Sequence, residues 1–300
     1  MIKDFDIIVY HGSGCPDGIS ALKCALMYAD IKIKYGCKAG VDPNIDHIDK
    51  SILFVDICPS ITYLTKIAKE SKQIVILDHH KSTLDTFNKN KDNVSENIIF
   101  ILDMDRAGCQ ITWDYFFPNK PRPWFIDYVA DRDLWKWLLP NSKAINTAYS
   151  YNDYFNTFNL DKLNELIEPS DTVKQKLLDQ GIQLIKIQQK ELDFATGKAI
   201  EGTMKVNDIQ YHIWIGTISS ELRSDLGNIL ANKKLSNGNQ PDFSATWSYD
   251  LKADIWNISF RGTKNGPDLS AICKLYGGGG HYCASGMSIK GSLRDIFIIK

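Results

Sequence analysis

QIVILDHH, residues 73–80, carries four consecutive apolar side chains, Ile74 to Leu77, and then three that bear chemistry, Asp78, His79 and His80. A short, β-branched run without polar alternation reads as a strand buried on both faces, the condition of a parallel sheet covered by helices. The same pattern recurs in FDIIVY (5–10), SILFVDIC (51–58) and IIFILD (98–103). Helix-like segments separate the runs. ISALKCALMYAD follows the first, and after the second Pro59 and Ser60 open a helix with Ile61, Leu64 and Ala68 on one face. The alternation predicts an α/β fold whose N-terminal part is a mainly parallel sheet with flanking helices.

In each of these strands the polar residues come at the C-terminal end: His11 after the first, Asp56 after the second, Asp78-His79-His80 after the third and Asp103 after the fourth. That is the edge at which open α/β sheets bind ligands.

The remainder of the chain changes character. Residues 145–158, INTAYSYNDYFNTF, show no clear period and read as irregular. From Asp171 to Lys198 apolar residues recur at three- and four-residue spacing, a long amphipathic helix with Ser170 as N-cap, suited to joining two domains. Beyond residue 200 two hairpins, turning near Asn207-Asp208 and Asp250, and helices near 219–233 and 268–276 predict a smaller, mixed α+β domain.

Composition narrows the function. Three hundred residues favour two domains, and 44% hydrophobic with 24% charged residues describe an ordinary globular chain. Thirty-five Lys and Arg against 36 Asp and Glu leave a charge of −1, which excludes polyanion binding by bulk charge. No stretch approaches the roughly 18 apolar residues of a membrane span, and the N-terminus lacks a signal-peptide pattern. The seven scattered cysteines, with no Cys-x-x-Cys pair, favour a reducing compartment. A cytoplasmic enzyme without membrane partners is the expectation; oligomeric state is not legible.

Alone, His11-Gly12-Ser13-Gly14-Cys15-Pro16-Asp17-Gly18 is a weak phosphate loop, because it lacks the Lys and Ser/Thr of a P-loop. In company with Asp56, Asp78-His79-His80 and Asp131 of VADRDLW it reads differently. Carboxylates and imidazoles gathered at one sheet edge repel and are poorly solvated unless a cation sits among them, and divalent metal is the natural answer. In this ordered set, closed by GGGGHYCASG near the C-terminus, the chain resembles the DHH phosphoesterase superfamily, which includes RecJ-like exonucleases, oligoribonucleases, cyclic-dinucleotide phosphodiesterases and family II pyrophosphatases.

The resemblance implies a catalytic domain over 1–165, a connector helix over 166–199 and a DHH-associated substrate-binding domain over 200–300. It implies two divalent ions, usually manganese, with zinc, cobalt or magnesium as alternatives. The first would take His11 and Asp56, the second Asp17, Asp56, His79 and Asp131, with Asp56 bridging so that the ions share one hydroxide. His80 would face the phosphate or leaving oxygen, and Asp78 would orient it. Asp103 and Asp133 compete with Asp131; Ala130-Asp131 best fits the motif. Cys15 stands where the family commonly has an aspartate. Either its thiolate ligates the first ion, softening the site toward zinc or cobalt, or it is a bystander.

Arg106, before a helix start, is a further phosphate contact or part of an ordinary helix cap. Gly278, Gly279, Gly280 and His281 read as a phosphate nest rather than a merely flexible loop, and Arg261 supplies a planar fork beside it. Trp135 and Trp137 either stack bases or pack helix on sheet, the latter being favoured. The function expected is metal-dependent phosphodiester or phosphate hydrolysis on a short single-stranded oligonucleotide or small nucleotide. The alternatives are a cyclic-dinucleotide or nucleotide 3′-phosphate hydrolase, a pyrophosphatase, and a nucleotide-binding protein without turnover.

Overall fold

The four apolar runs form parallel strands, and a fifth joins them at one edge. The computed structural model describes residues 4–12 and 14–299. The chain divides into two units between Ile185 and Lys186. The first unit runs β1 (Ile7–His11), α1 (Pro16–Tyr28), β2 (Ile33–Cys37), β3 (Ser51–Val55), α2 (Ile61–Ala68), β4 (Gln73–Asp78), α3 (Lys81–Asn90), β5 (Ile98–Leu102), α4 (Gly108–Phe116), α5 (Trp124–Asp133), α6 (Ser142–Tyr151) and the start of α7 (Asp171–Lys198).

Its sheet has the order β2-β1-β3-β4-β5, parallel throughout. Alternate side chains enter two cores. Ile8, Leu53, Val55, Val75 and Leu77 meet Leu22 of α1, Ile111 of α4 and Phe125 of α5; Ile7, Val9, Ile52, Phe54, Ile74 and Ile76 meet Leu64 and Ile67 of α2. Burial on both faces is why these strands read as unbroken apolar runs. Truncating Phe54 or Phe125 to Ala would cost about 3–5 kcal/mol.

This strand order places the topological switch point between β1 and β3. Register does the rest. Tyr10 pairs with Val55 and Val55 with Leu77, so His11, Asp56 and Asp78, each one residue further on, emerge side by side at one edge. Asp56 leaves its strand with φ +57°, a left-handed turn that Asp tolerates better than most residues.

The 145–158 stretch departs from expectation: α6 occupies its first half, burying Ala144, Ile145, Ala148 and Tyr149. The long helix is present as read, with Ser170 Oγ accepting the Val173 amide at 3.3 Å.

The second unit continues α7 into β6 (Ile200–Val206), β7 (Ile209–Gly216), α8 (Arg223–Asn232), β8 (Phe243–Asp250), β9 (Ile255–Arg261), α9 (Leu269–Lys274), β10 (Gly279–His281), β11 (Ala284–Ile289) and β12 (Phe297–Ile299). These strands make one sheet, β10-β11-β9-β8-β7-β6-β12, in which only β7 and β8 are parallel. Its core joins Phe243, Phe260 and Met287 to Leu269 and Ile272 of α9. Among the described residues no helix is long and apolar enough to cross a membrane.

Candidate metal centre

Asp56 sits at the middle of the edge, fully buried, and its two carboxylate oxygens face different partners. Oδ2 lies 3.3 Å from His11 Nδ1 and accepts from Cys15 Sγ at 3.6 Å. Oδ1 lies 3.2 Å from His79 Nε2, with no donor aligned on it as a hydrogen bond. Around Asp56 the first unit holds three sets of potential ligands, one of them Asp56 with Asp78 and His80. His11, Cys15 and Asp56 bring one ligand atom each within 4.8 Å of one another, and so do Asp17, His79 and Asp133.

Asp17 is oriented by α4. Its Oδ2 accepts the Gly108 amide at 2.7 Å and its Oδ1 the Cys109 amide at 2.8 Å, the first two N–H groups of that helix. The same carboxylate is 3.4 Å from His79 Nε2, as is Asp133 Oδ2. Gly108 permits this approach, since a Cβ there would lie 2.6 Å from Asp56 Cβ.

Asp78, also buried, holds His80. Its Oδ1 lies 2.7 Å from His80 Nδ1 and accepts the His79 amide at 2.8 Å, and Thr83 Oγ1 donates to Oδ2 at 2.5 Å.

The electrostatics describe a site with too much negative charge for its own donors. Burial, then Asp56 and Asp133, push the Asp17 carboxyl well up despite His79 and the Cys109 amide; burial, with Asp56, raises Asp133 although His79 opposes. Burial alone would raise Asp56, but the imidazoles of His11, His79 and His80 beside it hold it well below the carboxylate range. Burial would lower His79, yet Asp56, Asp133 and Asp17 lift it to about 10. The buried Asp17 carboxyl that is pushed up, together with the Asp56 oxygen lacking an aligned donor, makes acid and imidazole clusters that could bind divalent cations.

The structure brings Asp133, and not the expected Asp131, to the His79 cluster. The Asp131 carboxylate turns into its own loop and accepts the amides of Leu138 and Leu139 at 2.9 and 3.2 Å, whereas Asp133 reaches His79. Two residues apart on a helix, the pair point to opposite sides, so only one can face the edge.

Arg106 is likewise committed elsewhere. Its guanidinium donates to Asp103 at 2.7 Å and Asp114 at 2.6 Å, and Arg122 shares Asp114. Two carboxylates in reach bind a guanidinium better than a helix cap does.

In the second unit, the glycine run is an edge strand, not an open nest. Gly279 and Gly280 pair with Gly286 and Ser285, and the amides of Gly277 and Gly278 close α9 on Lys274 and Cys273. A Cβ on Gly278 would meet Gly286 O at 2.1 Å, which explains that glycine by close strand approach. His281 ends this strand.

Arg261 ends β9, its guanidinium donating to Ser224 Oγ at 2.7 Å and to Phe260 O at 2.8 Å. No carboxylate among the described residues lies in ion-pair distance of it, and burial, with Arg223 nearby, lowers its pKa to about 10. Motif reading passed over Gly108, the Cys109 amide and Thr83, because none is chemically conspicuous in a sequence.

No family model matches the chain. It is 29% identical over 304 residues to an uncharacterized protein of Acanthamoeba polyphaga mimivirus, covering 95% of this chain and 68% of that protein. It is 25% identical over 244 residues to the oligoribonuclease NrnB of Bacillus subtilis (strain 168), covering 75% of this chain and 55% of that relative, so it spans about half the latter's length. Among solved structures, the pGpG-specific phosphodiesterase PggH from Vibrio cholerae is similar at 11% identity with a TM-score of 0.47, covering 97% of this chain and 95% of that one.

Proposed function

We propose that this chain, which belongs to the DHH phosphoesterase superfamily, is a divalent-metal-dependent phosphodiesterase that hydrolyses short oligonucleotides or small nucleotides. The observation that carries the reading is the divided carboxylate of Asp56, with His11 and Cys15 on one oxygen and His79 on the other. In this assignment His11, Cys15 and Asp56 would hold one ion, and Asp17, Asp56, His79 and Asp133 a second. Divalent ions so held would supply Lewis acidity toward a phosphoryl oxygen and a nucleophile at neutral pH.

The chain's own groups do the remainder. His80, lifted above its ordinary pKa by Asp78 against the effect of burial, carries a proton that its Nε2 can offer to the phosphate or the leaving oxygen. Asp78 fixes the ring through Nδ1, and Thr83 fixes Asp78. On the second unit Arg261, a cation without a carboxylate partner, is assigned to substrate phosphate, with His281 beside the glycine strand as a further donor. A near-neutral chain favours a short substrate over long duplex, whose binding draws on many phosphate contacts.

The test is hydrolysis of a dinucleotide, a five-nucleotide RNA, cyclic di-AMP, pAp and pyrophosphate, each with manganese and with EDTA. The expected result is metal-dependent turnover that is fastest on the linear short oligonucleotides. No turnover of any of them with manganese, magnesium, cobalt or zinc would overturn the enzyme; pyrophosphate or cyclic di-AMP as the best substrate would overturn the substrate class.

A further inference from the structure

Six consecutive amides at the end of α5 turn back onto three residues. Leu134 N–H donates to Ala130 O at 2.9 Å and Trp135 to Arg132 O at 3.0 Å; Lys136 and Trp137 donate to the Asp131 carbonyl at 2.9 and 3.4 Å, and Leu138 and Leu139 to its carboxylate. The chain is wound around Asp131, and the winding sets Trp135 at φ 53° and Trp137 at φ 52°. Left-handed backbone suits glycine or asparagine, and for a bulky aromatic residue it is an outlier that needs a reason.

Structure supplies no such reason. The hydrogen bonds of the turn come from backbone and from Asp131, so the indoles do not hold it together. Neither indole belongs to the apolar clusters of the first unit, although the neighbouring Leu134 does. Both are half-buried, and the two rings meet edge to face with centroids 5.0 Å apart and planes at 76°. The packing of helix on sheet favoured for them from sequence is not what they do.

Their position suggests what they do instead. Asp133, whose Oδ2 lies 3.4 Å from His79 Nε2, precedes Trp135 by two residues, a reach of at most about 7 Å along the chain. The same turn therefore carries a proposed metal ligand and a half-buried aromatic pair outside the apolar core. We propose that Trp135 and Trp137 form a platform on which a nucleobase of the substrate stacks beside the phosphate held at the metal centre. The proposal rests on the phosphodiesterase reading above and deepens it. Every base offers a π face, so such a platform selects nucleotides over base-free phosphates without choosing among bases. Lys136, between the two tryptophans, is tied to Asp105 O at 3.0 Å and serves the turn.

The experiment compares a dinucleotide with its abasic tetrahydrofuran counterpart, using the manganese-loaded full chain and the variants Trp135→Asn, Trp137→Asn and both together. Asparagine accepts the left-handed backbone, so the variants should keep or raise the melting temperature. The wild type should prefer the base-bearing substrate by roughly 5- to 150-fold in kcat/KM, the range of one aromatic stack, and the variants should lose most of that preference through KM while the abasic rate stays unchanged. A wild type without preference, or variants that lose equally on both substrates, overturns the platform and leaves the phosphodiesterase reading intact. Turnover of neither substrate by the wild type overturns both. A second measurement needs no variant. AMP should quench the tryptophan fluorescence of the magnesium-loaded wild type where ribose 5-phosphate does not, and an equal response or none overturns the platform.

Discussion

Asp17 and Gly108 stand 91 positions apart, and the Gly108 amide donates to Asp17 Oδ2 at 2.7 Å. That one hydrogen bond, paired with the one from Cys109 to Oδ1, ties the first turn of α1 to the start of α4. The positive end of a helix is a favourable place for a carboxylate. Here it is not enough, because burial and the charges of Asp56 and Asp133 still push the Asp17 carboxyl well up. The balance leaves the site short of positive charge at the point where Asp17, Asp56 and Asp133 all approach His79.

Gly108→Ala tests how tightly α4 and the metal centre are joined. The new Cβ would fall 2.6 Å from Asp56 Cβ and 3.0 Å from its Cα, so the helix start must retreat from both Asp56 and Asp17. Overpacking of this kind costs about 1–3 kcal/mol, read from urea unfolding, and manganese affinity by titration calorimetry should fall with it. A variant with unchanged stability and unchanged affinity would mean that the helix start moves freely and does not support the site.

Asp131 and Asp133 should separate cleanly by measurement. Asp133→Asn removes a proposed ligand and should lower manganese stoichiometry from two toward one, with the melting temperature of the metal-free protein nearly unchanged. Asp131→Ala strips acceptors from the amides of Leu138 and Leu139, so it should cost about 1–3 kcal/mol of stability while both ions still bind. The opposite pattern would return the ligand role to Asp131.

The buried strands were legible because both of their faces are apolar. β2 was not, since Ile33, Lys34, Tyr35 and Gly36 lie exposed on an edge where lysines are common and only Cys37 is buried. Helix α6 escaped notice for another reason: two of its inward positions are alanines and a third is Tyr149, so Ala144, Ile145, Ala148 and Tyr149 make a weak apolar stripe although they pack as one face. At the site, strand ends announced His11, Asp56, Asp78, His79 and His80, because a C-terminal strand edge is where chemistry gathers. Asp131 and Asp133 differ only in helical phase, and phase depends on where α5 starts, a boundary that motif matching does not fix. Arg106 and the glycine run are both engaged within the protein itself. Each has a nearby partner, Asp114 eight residues after Arg106 and Gly286 across the hairpin from Gly279, whose pairing depends on where the helix and the turn fall.

Arg261→Met probes the second unit by itself. A guanidinium held only by Ser224 and a carbonyl, with Arg223 pressing on its charge, gains little for folding from being charged. Replacing a buried charge with an apolar side chain of similar length is often neutral or stabilising. The variant should therefore unfold at or above the wild-type denaturant midpoint, yet show a KM for the dinucleotide raised at least tenfold. A clear loss of stability with unchanged KM would make Arg261 a structural residue.

Cys15 decides the chemical softness of the first site. Its Sγ addresses the same Asp56 oxygen as His11 Nδ1, at 3.6 and 3.3 Å, from the N-cap position of α1. Burial, and then the charges of Asp56, Asp133 and Asp17, push the thiol well up, so in the metal-free chain it stays protonated; a bound cation is what would ionise it. As a thiolate it favours zinc or cobalt over magnesium. Cys15→Asp puts a hard oxygen at the same place, and aspartate is also a good N-cap, so the helix should not suffer. Two readouts should then move together. Cobalt-loaded wild type should show a thiolate-to-cobalt charge-transfer absorption that the variant lacks, and the variant should run relatively faster with manganese or magnesium than with zinc. If the cobalt protein shows no such absorption and the metal preference is unchanged in Cys15→Asp, the first ion is held by His11 and Asp56 without the sulfur.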